Sequence, residues 1–309
     1  VGSVGTLPRM GRATGMNQWA RDIGAEAVDH ISIRGRMLPL DGLLHADIED
    51  PELIADQRRL FATSQPFEHI VMDGLFDDRL LDLLLDEFGD EGGWRKVESH
   101  RETTYRSTSA KRLGAATQTY MNLVYSAAFV GYLSAITGLD NLITDSMLMG
   151  GGLHETKAGG RFGVHRDFNY HKHTMLSNAL VLITYLNHDW EESYGGALEL
   201  WDEKKSACVS SVLPLFGRTI LFRHSERSYH GHPHPLTPPP GRTRRSITAY
   251  YYLNQHTDMI RPFWRSSSFL EDQQTTKHKA KMLARGLVPP LVWQGIKHLR
   301  FRKQARDNY

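Results

Sequence analysis

From residue 142 onward, short apolar and β-branched runs succeed one another with turns between them and no long helix. The runs are 142–153, 180–186, 197–201, 208–214, 218–222 and 246–253. Such a succession predicts an antiparallel sandwich or barrel. Helical patterning lies before it. Pro51–Thr63 follows Asp50, a residue suited to cap a helix N-terminus. A strand and a turn at Asp73-Gly74 are predicted over Phe67–Phe76. Leu80, Leu81, Leu84, Leu85 and Phe88 mark one helical face. Gln118–Ile136 reads as a single helix ending at Gly138. The expected organisation is a weakly patterned arm with one short helix (1–50), a helical support (51–140), a β core (141–262) and a basic helical segment (263–309). From Lys277 to Arg306 that last segment carries nine Lys or Arg and no acidic residue. A solvated helix face is the ordinary reading of such a run.

Composition narrows the chemistry. The only cysteine among 309 residues is Cys208, so an intramolecular disulfide and cysteine-built metal sites are excluded. Any metal must rest on His, Asp or Glu, and nine of the 16 histidines lie between 154 and 234. A formal net charge of +2 implies no general attraction to nucleic acid. No apolar run is long enough to span a bilayer, and no signal-like apolar core opens the chain. A cytoplasmic location is the expectation. Val1 points to an alternative start codon or a trimmed chain, with Met16 as a natural start.

The chemically suggestive motif is His165-Arg166-Asp167. On a strand, residues i and i+2 point to one side, so an imidazole and a carboxylate converge. One further histidine completes two His and one carboxylate. That set leaves coordination positions open and suits iron(II) with a cosubstrate and dioxygen. A lone His-x-Asp is a weak signal, because short motifs recur by chance. His230, His232 and His234 alternate along one segment, and each is a possible third member.

Four ordered blocks strengthen the motif. They are Gly159–Asp167, then Tyr185-Leu186-Asn187 through Gly195–Leu200, then Gly217–Phe222 with Ser228–Gly231, and finally Arg244–Tyr252. Together they resemble the 2-oxoglutarate/Fe(II)-dependent oxygenases of the prolyl-4-hydroxylase-like group, over about a third of the chain. The resemblance implies an α+β fold: a double-stranded β-helix (jelly-roll, cupin-like) barrel with supporting N-terminal helices. It implies Fe(II) on His165, Asp167 and His230, with His232 as the fallback for the third ligand. It implies 2-oxoglutarate and O2 as cosubstrates, with ascorbate as a reductant. Arg244 would hold the far carboxylate, helped by Thr248 and Tyr185. Strand parity favours Arg244 over Arg245. Where the group often has a tyrosine, this chain has His154, which is either a substitute donor or a core histidine. Related halogenases lack the carboxylate that Asp167 supplies, so hydroxylation or another oxygen-type outcome is implied rather than halogenation.

The substrate expected is a small molecule such as an amino acid, sugar or biosynthetic intermediate. A protein residue is the alternative, and a metal-binding barrel without turnover is a third. His171 and His173 are expected in a loop or on the pocket rim. The basic residues Arg95, Lys96, Arg101, Arg106, Lys111 and Arg112 are expected in a charged loop, either solvated or near the pocket mouth.

Overall fold

The structure, a computed structural model, describes residues 30–44, 46–89, 95–98, 102–107, 113–254 and 267–269. Most of the expected 1–50 arm and basic C-terminal segment therefore lie outside the described residues, as do Arg101, Lys111 and Arg112. The described part of the arm forms a hairpin of β1 (His30–Ile33) and β2 (Arg36–Pro39).

Four helices follow. Helix α1 (Pro51–Thr63) begins where Asp50 accepts a hydrogen bond from the Glu52 amide at 2.9 Å, with Pro51 in its first turn. Helix α2 (Asp78–Asp86) is capped by Asp77 and buries Leu80, Leu81, Leu83 and Leu84. The helix expected over Gln118–Ile136 is two helices, α3 (Ala115–Val124) and α4 (Ala127–Thr137). The break lies at Ser126, whose hydroxyl accepts from the Phe129 amide at 3.2 Å and starts a new helix. Gly138 ends α4 in the left-handed conformation, φ 69°.

The strands are β3 (His69–Met72), β4 (Arg95–Glu98), β5 (Thr103–Ser107), β6 (Ile143–Thr144), β7 (Gly152–Thr156), β8 (Phe162–Arg166), β9 (Ser177–Tyr185), β10 (Leu198–Trp201), β11 (Cys208–Val212), β12 (Thr219–Arg223), β13 (His230–His232), β14 (Arg244–Leu253) and β15 (Ser268–Phe269). The larger sheet runs β3-β12-β9-β14-β7-β5-β4, with β6 also on β14. The smaller runs β11-β10-β13-β8-β15. Pairing is antiparallel throughout. The expected double-stranded β-helix is thus two facing sheets, and no hydrogen-bonded pairing among the described strands closes them into a barrel. Strands enter earlier than 142, because β3, β4 and β5 join the larger sheet from the helical region.

Side-chain alternation divides the larger sheet into two faces. Leu180, Leu182, Leu221, Ile247, Ala249 and Tyr251 pack outward with helix residues such as Leu84, Tyr120 and Phe129. Val181, Tyr185, Ile220, Phe222 and Tyr250 pack inward with Leu198, Leu200 and Val212 of the smaller sheet. Two polar contacts tie the helices to the sheet. The Tyr251 hydroxyl donates to the Val124 carbonyl at 2.7 Å, and Tyr120 and Thr184 share a hydroxyl contact at 2.7 Å.

Buried Glu87 substitutes for a helix cap. Its carboxylate accepts from the amides of Ala116 and Thr117 at the start of α3, at 2.7 and 3.0 Å. A Cβ at Gly114 would collide with that carboxylate. Glu87→Ala is expected to lower the unfolding free energy by about 2 kcal/mol, because it leaves buried amides without partners. Gly114→Ala is expected to shift the midpoint the same way by displacing the carboxylate. Urea denaturation of each variant measures both, and unchanged midpoints would refute this account of the α3 start.

Candidate metal centre and cleft

Strand β13 lies antiparallel beside β8 with His230 directly opposite His165. Asp167 sits just past the end of β8. The three side chains are buried and offer ligand atoms that all lie within 4.8 Å of one another, a group able to hold one metal ion. His165 Nε2 is 3.3 Å from Asp167 Oδ1, and His230 Nε2 is 3.7 Å from Oδ2.

Both imidazoles are oriented by the same local device. His165 Nδ1 lies 2.9 Å from the Gly163 carbonyl, and His230 Nδ1 lies 3.0 Å from the Ser228 carbonyl. A carbonyl only accepts, so Nδ1 carries the proton and the Nε2 lone pair faces the site. Phe162 stacks on His165 at 4.0 Å between centroids, and Phe269 of β15 lies against the same ring at 5.2 Å.

Burial pushes the His230 pKa down to about 4, and the neighbouring His165 ring acts in the same direction. Burial on its own would raise the Asp167 carboxyl. Its contacts with the imidazoles of His165, His230 and His224 outweigh burial and hold the carboxyl below its usual range. Neutral imidazoles beside an ionised carboxylate are the forms that bind a metal ion.

The cleft over this trio lies between the two sheets. Arg244, Ser246, Thr248 and Tyr250 line it from alternate positions of β14, and His154 lines it from β7. Arg244 is buried. Its Nε donates to the Gly196 carbonyl at 2.7 Å, and its guanidinium lies 4.9 Å over the Tyr185 ring. Gly196 has φ 75°, and a Cβ there would press on the Arg244 side chain, so glycine makes room for it. No acidic side chain pairs with Arg244 among the described residues. Arg245 points the other way and pairs with Glu155 at 3.1 Å. The Tyr185 hydroxyl is buried beside the Arg244 guanidinium and has no acceptor for its proton among the described residues.

His154 Nε2 lies 3.0 Å from the Gly150 carbonyl, so this nitrogen holds the loop before β7. His171 and His173 do not line the cleft. His171 is buried and approaches the Asp145 carboxylate at 3.4 Å, while its Nδ1 accepts from the Thr174 amide at 3.1 Å. Its position is therefore loop interior, where it fastens 171–174 against Asp145. His234 is exposed.

Two features of the site had escaped attention in the sequence. Tyr250 donates its hydroxyl to Asp167 Oδ2 at 3.1 Å. Its parity with Arg244 and Thr248 on one strand is the signal that marks it. Phe269 reaches His165 from a short strand far along the chain, and no motif announces it.

Two buried histidines and one buried carboxylate between two antiparallel sheets form a set that could hold a metal ion in the facial-triad manner. Residues 151–261 match the 2OG-Fe(II) oxygenase superfamily, and this segment belongs to it. Oxygenase activity with Fe(II) and 2-oxoglutarate follows from that membership. No curated protein matches the sequence. Among solved structures, the chain is similar to a prolyl-4-hydroxylase of Pseudomonas putida (17% identity, 64% of this chain and 99% of that one, TM-score 0.45). It is also similar to a Trichoplax adhaerens prolyl hydroxylase in complex with a hypoxia inducible factor peptide fragment (17%, 67% and 96%, 0.47). A third is HygX of Streptomyces hygroscopicus with nickel, 2-oxoglutarate and hygromycin B bound (13%, 66% and 89%, 0.45). No helix of the described residues is long and apolar enough to cross a membrane.

The Tyr250 contact generates a prediction. Tyr250→Phe is expected to weaken Co(II) binding roughly tenfold, the usual scale for losing a hydrogen bond to a ligand carboxylate. Titration followed by the Co(II) absorption bands measures it. An unchanged affinity and an unchanged spectrum would show that the hydroxyl does not orient Asp167.

Proposed function

We propose that this oxygenase hydroxylates an unactivated C–H bond of a small molecule, using His165, Asp167 and His230 as the iron ligands and Arg244 as the anchor for 2-oxoglutarate. The observation that carries the reading is the pairing of a buried facial trio with a buried arginine that has no acidic partner among the described residues. A guanidinium matches a carboxylate in shape and keeps its charge, so Arg244 suits the far carboxylate of the cosubstrate. The Tyr185 hydroxyl, lacking an acceptor for its proton among the described residues, supplies a further donor at that end, and Thr248 lines the cleft on the same strand face.

When bound, iron with 2-oxoglutarate and dioxygen supplies the oxidising power, and succinate and carbon dioxide leave. The chain's own contribution is placement. The Gly163 and Ser228 carbonyls aim the two imidazoles, Tyr250 aims the carboxylate, and Phe162 and Phe269 keep water from one side of His165. A small-molecule substrate is favoured by β15, which occupies the β8 edge beside the metal trio. An extended peptide therefore cannot add there as a further strand.

The test is succinate formation from 2-oxoglutarate with Fe(II) and ascorbate, in air and without oxygen, across amino acids, sugars, biosynthetic intermediates and proline-containing peptides. Oxygen-dependent succinate stimulated by a small molecule is the expected result. Stimulation by peptides alone would transfer the reading to a protein-residue hydroxylase. His165→Ala and Asp167→Ala are each expected to reduce turnover to background with the fold retained. Arg244→Ala is expected to raise the 2-oxoglutarate KM on the order of a hundredfold, the scale for removing one partner of a buried charge pair. Arg245→Ala is expected to leave that KM near the wild-type value. The reverse order of these two effects would overturn the anchor assignment.

A further inference from the structure

His232 is a buried imidazole, 4% exposed, in the wall of the cleft. It forms no hydrogen bond among the described residues, and its Nδ1 is wholly buried without a partner. Its ring contact is edge-on to Phe162, at 6.3 Å between centroids. An imidazole always carries at least one N–H, and folded proteins rarely leave such a group unpaired in the interior. A histidine kept only for packing would have a carbonyl or hydroxyl partner, as His165, His230 and His154 have.

Its place in the strand says what the missing partner is. On β13, residues 230 and 232 share a face, and His230 is opposite His165 while His232 is opposite Phe162. His232 therefore stands one step beyond the metal trio and is not one of the residues grouped to hold the ion. Strand β10 pairs with β13 with Leu200 opposite His230, so His232 lies toward the start of β10, near the Gly196 carbonyl that accepts from Arg244, and both side chains line the cleft. Arg244 lacks an acidic partner and the Tyr185 hydroxyl lacks an acceptor for its proton among the described residues. The remaining donors of Arg244, the Tyr185 hydroxyl beside it and the His232 ring at one end of a cleft match one carboxylate, whose two oxygens accept about four hydrogen bonds.

We infer that His232 is a positioning residue that donates a second side-chain hydrogen bond, beside Arg244, to the far carboxylate of 2-oxoglutarate. This rests on the function proposed above and adds a residue to its cosubstrate site. It also accounts for an apolar wall position being held by histidine: the ring is unpaired without the cosubstrate and paired with it.

The test is calorimetric titration of the full chain loaded with Mn(II), which needs no turnover. His232→Leu removes the donor and keeps the volume, and His232→Gln keeps an N–H. His232→Leu is expected to weaken 2-oxoglutarate binding about tenfold or more, the scale of one charge-assisted hydrogen bond. The Kd for Mn(II) and for 2-oxobutyrate, which keeps the keto acid and lacks the far carboxylate, is expected to stay unchanged. His232→Gln is expected to recover part of the loss. The ligand-free Leu variant is expected to melt no lower than wild type, because the substitution removes an unpaired polar group. Wild-type 2-oxoglutarate affinity in His232→Leu, with the loss confined to Arg244→Ala, would overturn the inference and leave the anchor standing. An equal loss for Mn(II) or 2-oxobutyrate would place His232 at the metal end and overturn it too. Absence of 2-oxoglutarate binding by the wild-type chain would refute the proposed function itself, and the inference with it.

Discussion

The period-two alternation of β14 is the constraint on which both halves of the molecule depend. Ile247, Ala249 and Tyr251 turn to the helices, while Arg244, Ser246, Thr248 and Tyr250 turn to the cleft. A slip of one residue would exchange the two sets. It would bury Arg245 in the cleft, separate it from Glu155, and set Tyr251 toward the metal trio in place of Tyr250. The register is held on both sides, since Ser246 lies opposite His154 on β7 and Tyr185 on β9. The proposed cosubstrate anchor, carboxylate orientation and helix packing are thus specified by one strand pairing.

The metal trio depends on a second pairing. Strands β8 and β13 put His165 opposite His230, and the two rings lie 4.6 Å apart. In each case Nδ1 meets the carbonyl two residues upstream. The local backbone therefore chooses the tautomer and turns the other nitrogen inward. Burial then favours the neutral form of His230, while Asp167, held by the Tyr250 hydroxyl and facing the imidazoles, keeps its carboxylate ionised. Orientation and protonation follow from the same placement in the interior.

Much of this was legible because it has sequence periodicity or local chemistry. Alternation picked Arg244 over Arg245, the His-x-Asp spacing placed two members of the trio on one side, and Asp50 and Gly138 marked helix ends. The break between α3 and α4 was not legible, because apolar spacing runs through it and only the Ser126 side chain interrupts it. The buried state of His171 was hidden for a similar reason. Its partner Asp145 lies 26 residues earlier, and nothing in the local sequence indicates that the two loops meet. Phe269 was hidden because an edge strand of two residues carries no pattern.

The polar inner face of β14 has a consequence for the whole architecture. A strand whose inward positions are Arg, Ser, Thr and Tyr contributes little apolar burial on that side, and a buried guanidinium without an acidic partner and a buried imidazole without a hydrogen bond oppose folding. The smaller sheet cannot offset this near the site, because β8 and β13 also present histidines there. The stabilising burial has to come from the opposite face, where helices α2, α3 and α4 cover β9, β12 and β14 with Leu80, Leu84, Tyr120 and Phe129. In physical terms the helical region is the other half of the core that the catalytic sheets lack. Its caps, including buried Glu87 at α3, therefore bear on how firmly the cleft residues are held.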